Sequence, residues 1–163
     1  MNFARRGFRT GVFVDNVNLY VACRDEFGRT PDHARILKTA LADNILYRAI
    51  AYGVRLNGGV ERWRAALEKY GYEVRDKRPH YGKADWDVEI VVDVWRMIEH
   101  LDMVVIVSGD GDFTSLIYRC HELGKVVRVI GVDGRTSGLL VRACDEFVPI
   151  TEDMLLANKE EEK

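Results

Sequence analysis

Met103-Val104-Val105-Ile106-Val107 is an unbroken apolar run, mostly β-branched, that stops abruptly at Ser108-Gly109-Asp110-Gly111-Asp112. A strand that is apolar at every position is buried on both faces, and such strands belong to parallel sheets covered by helices on either side. The rest of the chain supplies what that sheet requires. Gly11-Val12-Phe13-Val14 is a second β-rich run, ending at Asp15-Asn16. After Pro31, residues 32–43 carry a helical pattern with Ile36, Leu37, Ala40 and Leu41 on one face, and residues 45–54 read as a strand. Gly58-Gly59 breaks the chain before a helix over 61–70 that ends at Gly71, and residues 72–78 read as a strand stopped by Pro79. The longest helical pattern runs over 85–101. Beyond the Met103–Val107 strand come a helix over 113–123 closed by Gly124, a strand over 126–132, a helix over 137–146 and a short edge strand over 147–150. The alternation predicts an α/β protein, a three-layer α/β/α sandwich around a central, mainly parallel sheet.

The chain of 163 residues, 47% hydrophobic, is long enough for one well-buried core, so one domain over 11–150 is expected. A basic arm over 1–10, with Arg5, Arg6 and Arg9, precedes it, and a short charged tail over 151–163 follows. The 24 Lys+Arg against 26 Asp+Glu leave a formal net charge of -2, which excludes a whole-chain basic field as the means of holding nucleic acid. A polyanion must then be held by a local patch or a metal. Cys23, Cys120 and Cys144 are odd in number and far apart, fitting neither a disulfide framework nor a metal knuckle. They imply a reducing, cytoplasmic setting. No apolar run approaches the ~18 residues of a membrane span, and the first nine residues lack the apolar stretch of a signal peptide, so neither membrane insertion nor export is expected.

In open α/β sheets the functional crevice lies outside the carboxyl ends of the strands. Two of those ends carry acids: Asp15 after the first strand, and Asp110 and Asp112 after the Met103–Val107 strand. If the two strands are neighbours, the acids converge, and carboxylates gathered in one place repel unless neutralised. A divalent cation does that, and oxygen-only ligands favour a hard ion, Mg2+ or Mn2+, over zinc. Capping of the next helix is a second reading of Asp112. Asn18, three residues after Asp15, either holds a ligand water or phosphate oxygen or caps the following turn.

The 85–101 helix can be placed on a wheel at ~100° per residue. Asp85, Glu89, Asp93, Arg96 and His100 then share an arc of roughly 80°, opposite Val88, Ile90, Val91, Val94, Trp95 and Ile98. Asp93 accordingly reads as a solvated-face acid and a supporting candidate. Asp87 falls in the middle of the apolar arc, where an ionised carboxylate is costly unless something positive meets it. It is either a metal ligand or, lying in the first turn, a capping or dipole-satisfying acid. Just upstream, Arg75 to Lys83 is the densest basic stretch, and Lys77, Arg78 and Lys83 are candidates for gripping a phosphate backbone. Trp63, Trp86 and Trp95 lie in helical segments and read as core or groove-wall residues, with base stacking a second reading of Trp86, which flanks the acids. His33, His80, His100 and His121 show no metal-ligand spacing and read as ordinary surface or core residues.

Three segments in order, Val12-Phe13-Val14-Asp15-Asn16-Val17-Asn18, Lys83-Ala84-Asp85-Trp86-Asp87-Val88 with Asp93 in the same helix, and Ser108-Gly109-Asp110-Gly111-Asp112-Phe113, resemble the NYN domain of the PIN-like nuclease superfamily. The likeness is strongest to its bacterial LabA-like branch and extends from about Gly11 to Ile150. It implies a PIN-like, Rossmann-like fold and metal-dependent ribonuclease activity. By position, Asp15, Asp87, Asp110 and Asp112 match the family's acidic site, Asn18 and Ser108 its supporting polar positions, and Asp93 a recurrent family acid. The family often has Lys-Gly where this chain has Lys83-Ala84. The extra Asp85 leaves two acids in that turn to face the metal, of which the wheel prefers Asp87.

The expected function is therefore hydrolysis of RNA phosphodiester bonds with Mg2+ or Mn2+, the alternative being a low-activity regulatory or RNA-binding module that keeps the pocket. RNA and a second copy of the chain, as a homodimer, are the expected partners. A haloacid-dehalogenase-type phosphatase wants an Asp two residues after Asp15, where this chain has Val17. A dinucleotide loop is excluded because Gly109 to Thr114 puts acids where phosphates need N–H groups.

Overall fold

The Met103–Val107 strand lies inside the sheet with every residue buried, as its composition requires. The computed structural model describes residues 7–53, 60–76 and 86–157. Its strands are β1 (Arg9–Asp15), β2 (Ile45–Tyr52), β3 (Tyr72–Arg75), β4 (Met103–Val107), β5 (Val126–Gly131) and β6 (Glu146–Pro149), and its helices are α1 (Asn16–Phe27), α2 (His33–Leu41), α3 (Val60–Tyr70), α4 (Asp87–Met97), α5 (Thr114–Glu122) and α6 (Gly138–Ala143). The sheet order is β3-β2-β1-β4-β5-β6 and every pairing is parallel. Side chains of β1 divide between two cores, as the period of 2 dictates. Val12 and Val14 pack with Leu19, Ile36 and Leu67 of α1, α2 and α3, while Phe13 packs with Ile90, Ile117 and Leu140 of α4, α5 and α6. This is the three-layer sandwich. Each such side chain taken out of water contributes roughly 1.5–3 kcal/mol.

The strand order reverses between β1 and β4, the switch point where open α/β sheets form their crevice. Val14 pairs with Val107, so the register sets Asp15 beside Ser108. The site is thus positioned by the two most buried strands of the fold.

Several expectations need correction. Helix α1 is absent from the sequence reading because its apolar residues run around the helix instead of gathering on one face: Leu19 and Cys23 are buried, whereas Val21 is exposed. β3 ends at Arg75, and the α6 helix spans Gly138–Ala143, shorter than 137–146. Arg9, assigned above to the basic arm, opens β1 and pairs with Asp102 at 3.1 Å. Part of the assigned tail also belongs to the domain, since Met154 and Leu155 are buried and Leu155 bridges to Pro31. Among the described residues no helix is long and apolar enough to cross a membrane.

The largest difference is the orientation of α4. Its buried residues are Ile90, Asp93, Val94 and Met97, so the inward arc is turned by about 100° from the expected one. Asp93 is not on a solvated face. It is 8% exposed, accepts a 2.7 Å hydrogen bond from the Tyr52 hydroxyl, and lies 3.6 Å from the Arg75 guanidinium. The hydrogen bond and the nearby cation offset the cost of burying a carboxylate. Burial, reinforced by Asp93, pushes the Tyr52 phenol far above its ordinary range, so it stays the donor.

Candidate active site

Asp15 is the last residue of β1 and the N-cap of α1. One carboxylate oxygen accepts from the Asn18 backbone N–H at 3.3 Å, and the other accepts from the Ser108 hydroxyl at 3.2 Å. At 7% exposure it is the most enclosed acid of the group. Asn18 neither caps the turn nor is left free for a ligand through its carbonyl, because its Oδ1 accepts from the Gly109 N–H at 2.9 Å. It ties α1 to the loop after β4.

That loop is built by its own side chains. Ser108 Oγ accepts from the Asp110 N–H at 3.2 Å, and Asp110 Oδ1 accepts from the Asp112 N–H at 2.9 Å, capping the 3-10 turn Gly111–Phe113. Asp110, and not Asp112, is therefore the capping acid. A Cβ on Gly109 would stand 2.6 Å from the Arg135 carbonyl oxygen, and one on Gly111 2.7 Å from Ser137 Oγ, so close approach of the 135–137 segment requires glycine here. We expect Gly109→Ala to cost about 1–3 kcal/mol in a urea melt and to displace the acids. Wild-type stability in that variant would show that the loop yields freely.

Asp87 opens α4. The capping position belongs to Trp86, which makes no side-chain cap bond, and Asp87 follows it as an acid of the first turn, where a negative charge meets the positive end of the helix dipole. Carboxylate oxygens of Asp87, Asp110 and Asp112 lie within 4.8 Å of one another. Asp15 joins them around a cavity of about 360 Å³, whose other walls are Val17, Asn18, Val21 and Trp86. Three close carboxylates offer the all-oxygen donor set that a hard divalent ion takes, and such an ion would offset their mutual repulsion. Asp93 is not brought into this group: it borders a separate cavity of about 270 Å³ with Arg75, Val88, Glu89, Val92 and Arg96. Lys77, Arg78, Lys83 and Asp85 lie outside the described residues.

A profile of the NYN domain matches residues 9–152, almost the entire described fold. The chain belongs to the NYN domain family. It is 27% identical, over 91% of its length and 87% of the relative's, to the low amplitude and bright protein LabA of Synechococcus elongatus. The crystal structure of a Vibrio parahaemolyticus protein of unknown function superposes with a TM-score of 0.85 at 32% identity, covering 94% of this chain and 99% of the other. NYN domains are nuclease-like, and this NYN fold places its acid cluster at the switch point of the sheet.

Sequence reasoning missed the support beneath the NYN site. Asn16, next to Asp15 and buried, accepts from the His33 Nε2–H at 2.7 Å and donates to the Gly53 carbonyl at 3.3 Å. The amide's contact with a carbonyl identifies its NH2, which leaves Oδ1 as acceptor and His33 as donor. Burial pushes the His33 pKa down to about 4, so the ring is neutral at pH 7. A depressed histidine means that the unfolded chain takes up the proton first. Its stabilising effect is therefore complete above the unfolded pKa of about 6.5 and lost as pH falls toward 4. We expect unfolding free energy to fall by about 1.4 kcal/mol per pH unit below pH 6.5, before the carboxylates titrate, and this slope to vanish in His33→Gln. An equal slope in both proteins would exclude His33 as its source.

Proposed function

We propose that this NYN domain is a ribonuclease that hydrolyses RNA phosphodiester bonds with Mg2+ or Mn2+ at the Asp15, Asp87, Asp110 and Asp112 site, in the cytoplasm. The observation that carries the reading is the convergence of Asp87, Asp110 and Asp112 within 4.8 Å beside the buried Asp15, at the end of the two central strands. Asp87, Asp110 and Asp112 would hold the ion, with Asp15 bordering the same cavity. The ion, when bound, lowers the pKa of water at the site and offsets the charge developing on the phosphate.

The chain's own residues fix the geometry. Ser108 holds the Asp15 carboxylate by its hydroxyl, and Asn18 pins the acid-bearing loop to α1. Asp110 holds Asp112 through the backbone of the turn. Val17, Val21 and the largely buried Trp86 form the cavity's apolar wall, against which a base or sugar can rest while its phosphate faces the acids. Lys77, Arg78 and Lys83, leading into α4, supply the cations for the flanking backbone. The test is to incubate end-labelled single-stranded RNA and DNA of matched sequence with EDTA, Mg2+ or Mn2+. Metal-dependent cutting of RNA in preference to DNA is expected. Cutting of DNA alone would overturn the substrate, and metal binding without cutting of either would assign the pocket to a regulatory module.

A further inference from the structure

The turn of α4 that buries Asp93 leaves its apolar stripe facing outward. Val88, Val91, Val92 and Trp95 are 70%, 38%, 47% and 52% exposed, at the 0, 3, 4, 7 spacing by which one helix packs on another. The helix does not roll to hide them, because the Tyr52–Asp93 bond fixes its opposite side. A contiguous exposed apolar patch of this kind marks an interface.

The stripe's charged border indicates what covers it. Glu89 and Arg96 lie on the same side of the stripe, seven residues apart, and neither makes an ion pair among the described residues. When two copies of a helix pack antiparallel about a two-fold axis, each border faces its own counterpart with the direction reversed. An axis passing near Val92 therefore sets Glu89 of each copy against Arg96 of the other, and Val88 against Trp95. The face is complementary to itself in both shape period and charge. We propose that α4 is the dimerisation helix of this protein, and that a second copy of the chain, packed antiparallel, covers Val88, Val91, Val92 and Trp95.

Sedimentation velocity on the full chain, from low to high micromolar concentration, tests this. The wild type should sediment as a dimer and Trp95→Glu as a monomer, with an unchanged far-UV circular-dichroism spectrum showing that the half-exposed Trp95 is dispensable for folding. Glu89→Arg and Arg96→Glu should each weaken self-association by about tenfold or more, since each sets like charges against each other. Mixed in equal amounts, these two variants should recover wild-type association, because every border pair is again opposite in sign. A wild type that stays monomeric overturns the proposal, whatever covers the stripe instead. So does a Trp95→Glu protein that remains dimeric, or a mixture that shows no recovery.

Discussion

Asp110→Asn is expected to lower metal-dependent cleavage by about 10³-fold or more while leaving the fold intact. The asparagine carbonyl can still accept from the Asp112 N–H, as Asp110 Oδ1 does at 2.9 Å, so the 3-10 turn survives. What disappears is the negative charge facing Asp87 and Asp112. A metal's stabilisation of the reacting phosphate amounts to several kcal/mol, and each 1.36 kcal/mol is tenfold in rate. Asp15→Asn should show a comparable loss. Full activity in Asp110→Asn, at matched metal concentration and with a wild-type melt, would remove this residue from the chemistry.

The largest effect on stability is expected from Asp93→Ala. The substitution leaves the Tyr52 hydroxyl, in a side chain with no exposed surface, without its acceptor, and leaves the Arg75 guanidinium with Glu73 as its one remaining carboxylate among the described residues. Stranding one member of a buried polar network costs about 3 kcal/mol, while Tyr52→Phe, which leaves a carboxylate still near Arg75, should cost about 1–2 kcal/mol. The double variant should be no worse than Asp93→Ala alone, because the two groups act on one another. Asp93 lies outside the acid cavity, so cleavage measured well below the melting temperature should fall less than tenfold. A loss as large as that of Asp110→Asn would make Asp93 part of the reacting centre after all.

The legibility of the chain follows from where a residue's neighbours come from. β4 was readable to its exact limits because burial on both faces imposes the same demand on every residue. Asp15, Asp110 and Asp112 were readable as a group because strand ends and sheet order alone bring them together. The inward face of α4 was not, since a wheel assumes that apolar residues point in. Here an acid is buried instead, satisfied by Tyr52 forty-one positions away, and Val88, Val91 and Val92 point out while Val94 stays inside. Asn18 shows the same limit: its spacing from Asp15 suggested a ligand or a cap, but its partner is Gly109, ninety-one positions on. The link from Asn16 to His33 depends likewise on how α2 docks, which no local pattern encodes.

A metal centre formed by Asp87, Asp110 and Asp112 would show itself in crystals of the protein soaked with Mn2+, with data collected at the manganese absorption edge. An anomalous peak is expected among those three carboxylates, about 2.0–2.4 Å from their oxygens, and is expected to be absent from crystals of Asp110→Asn. A peak elsewhere in the molecule, or none at saturating Mn2+, would contradict that assignment.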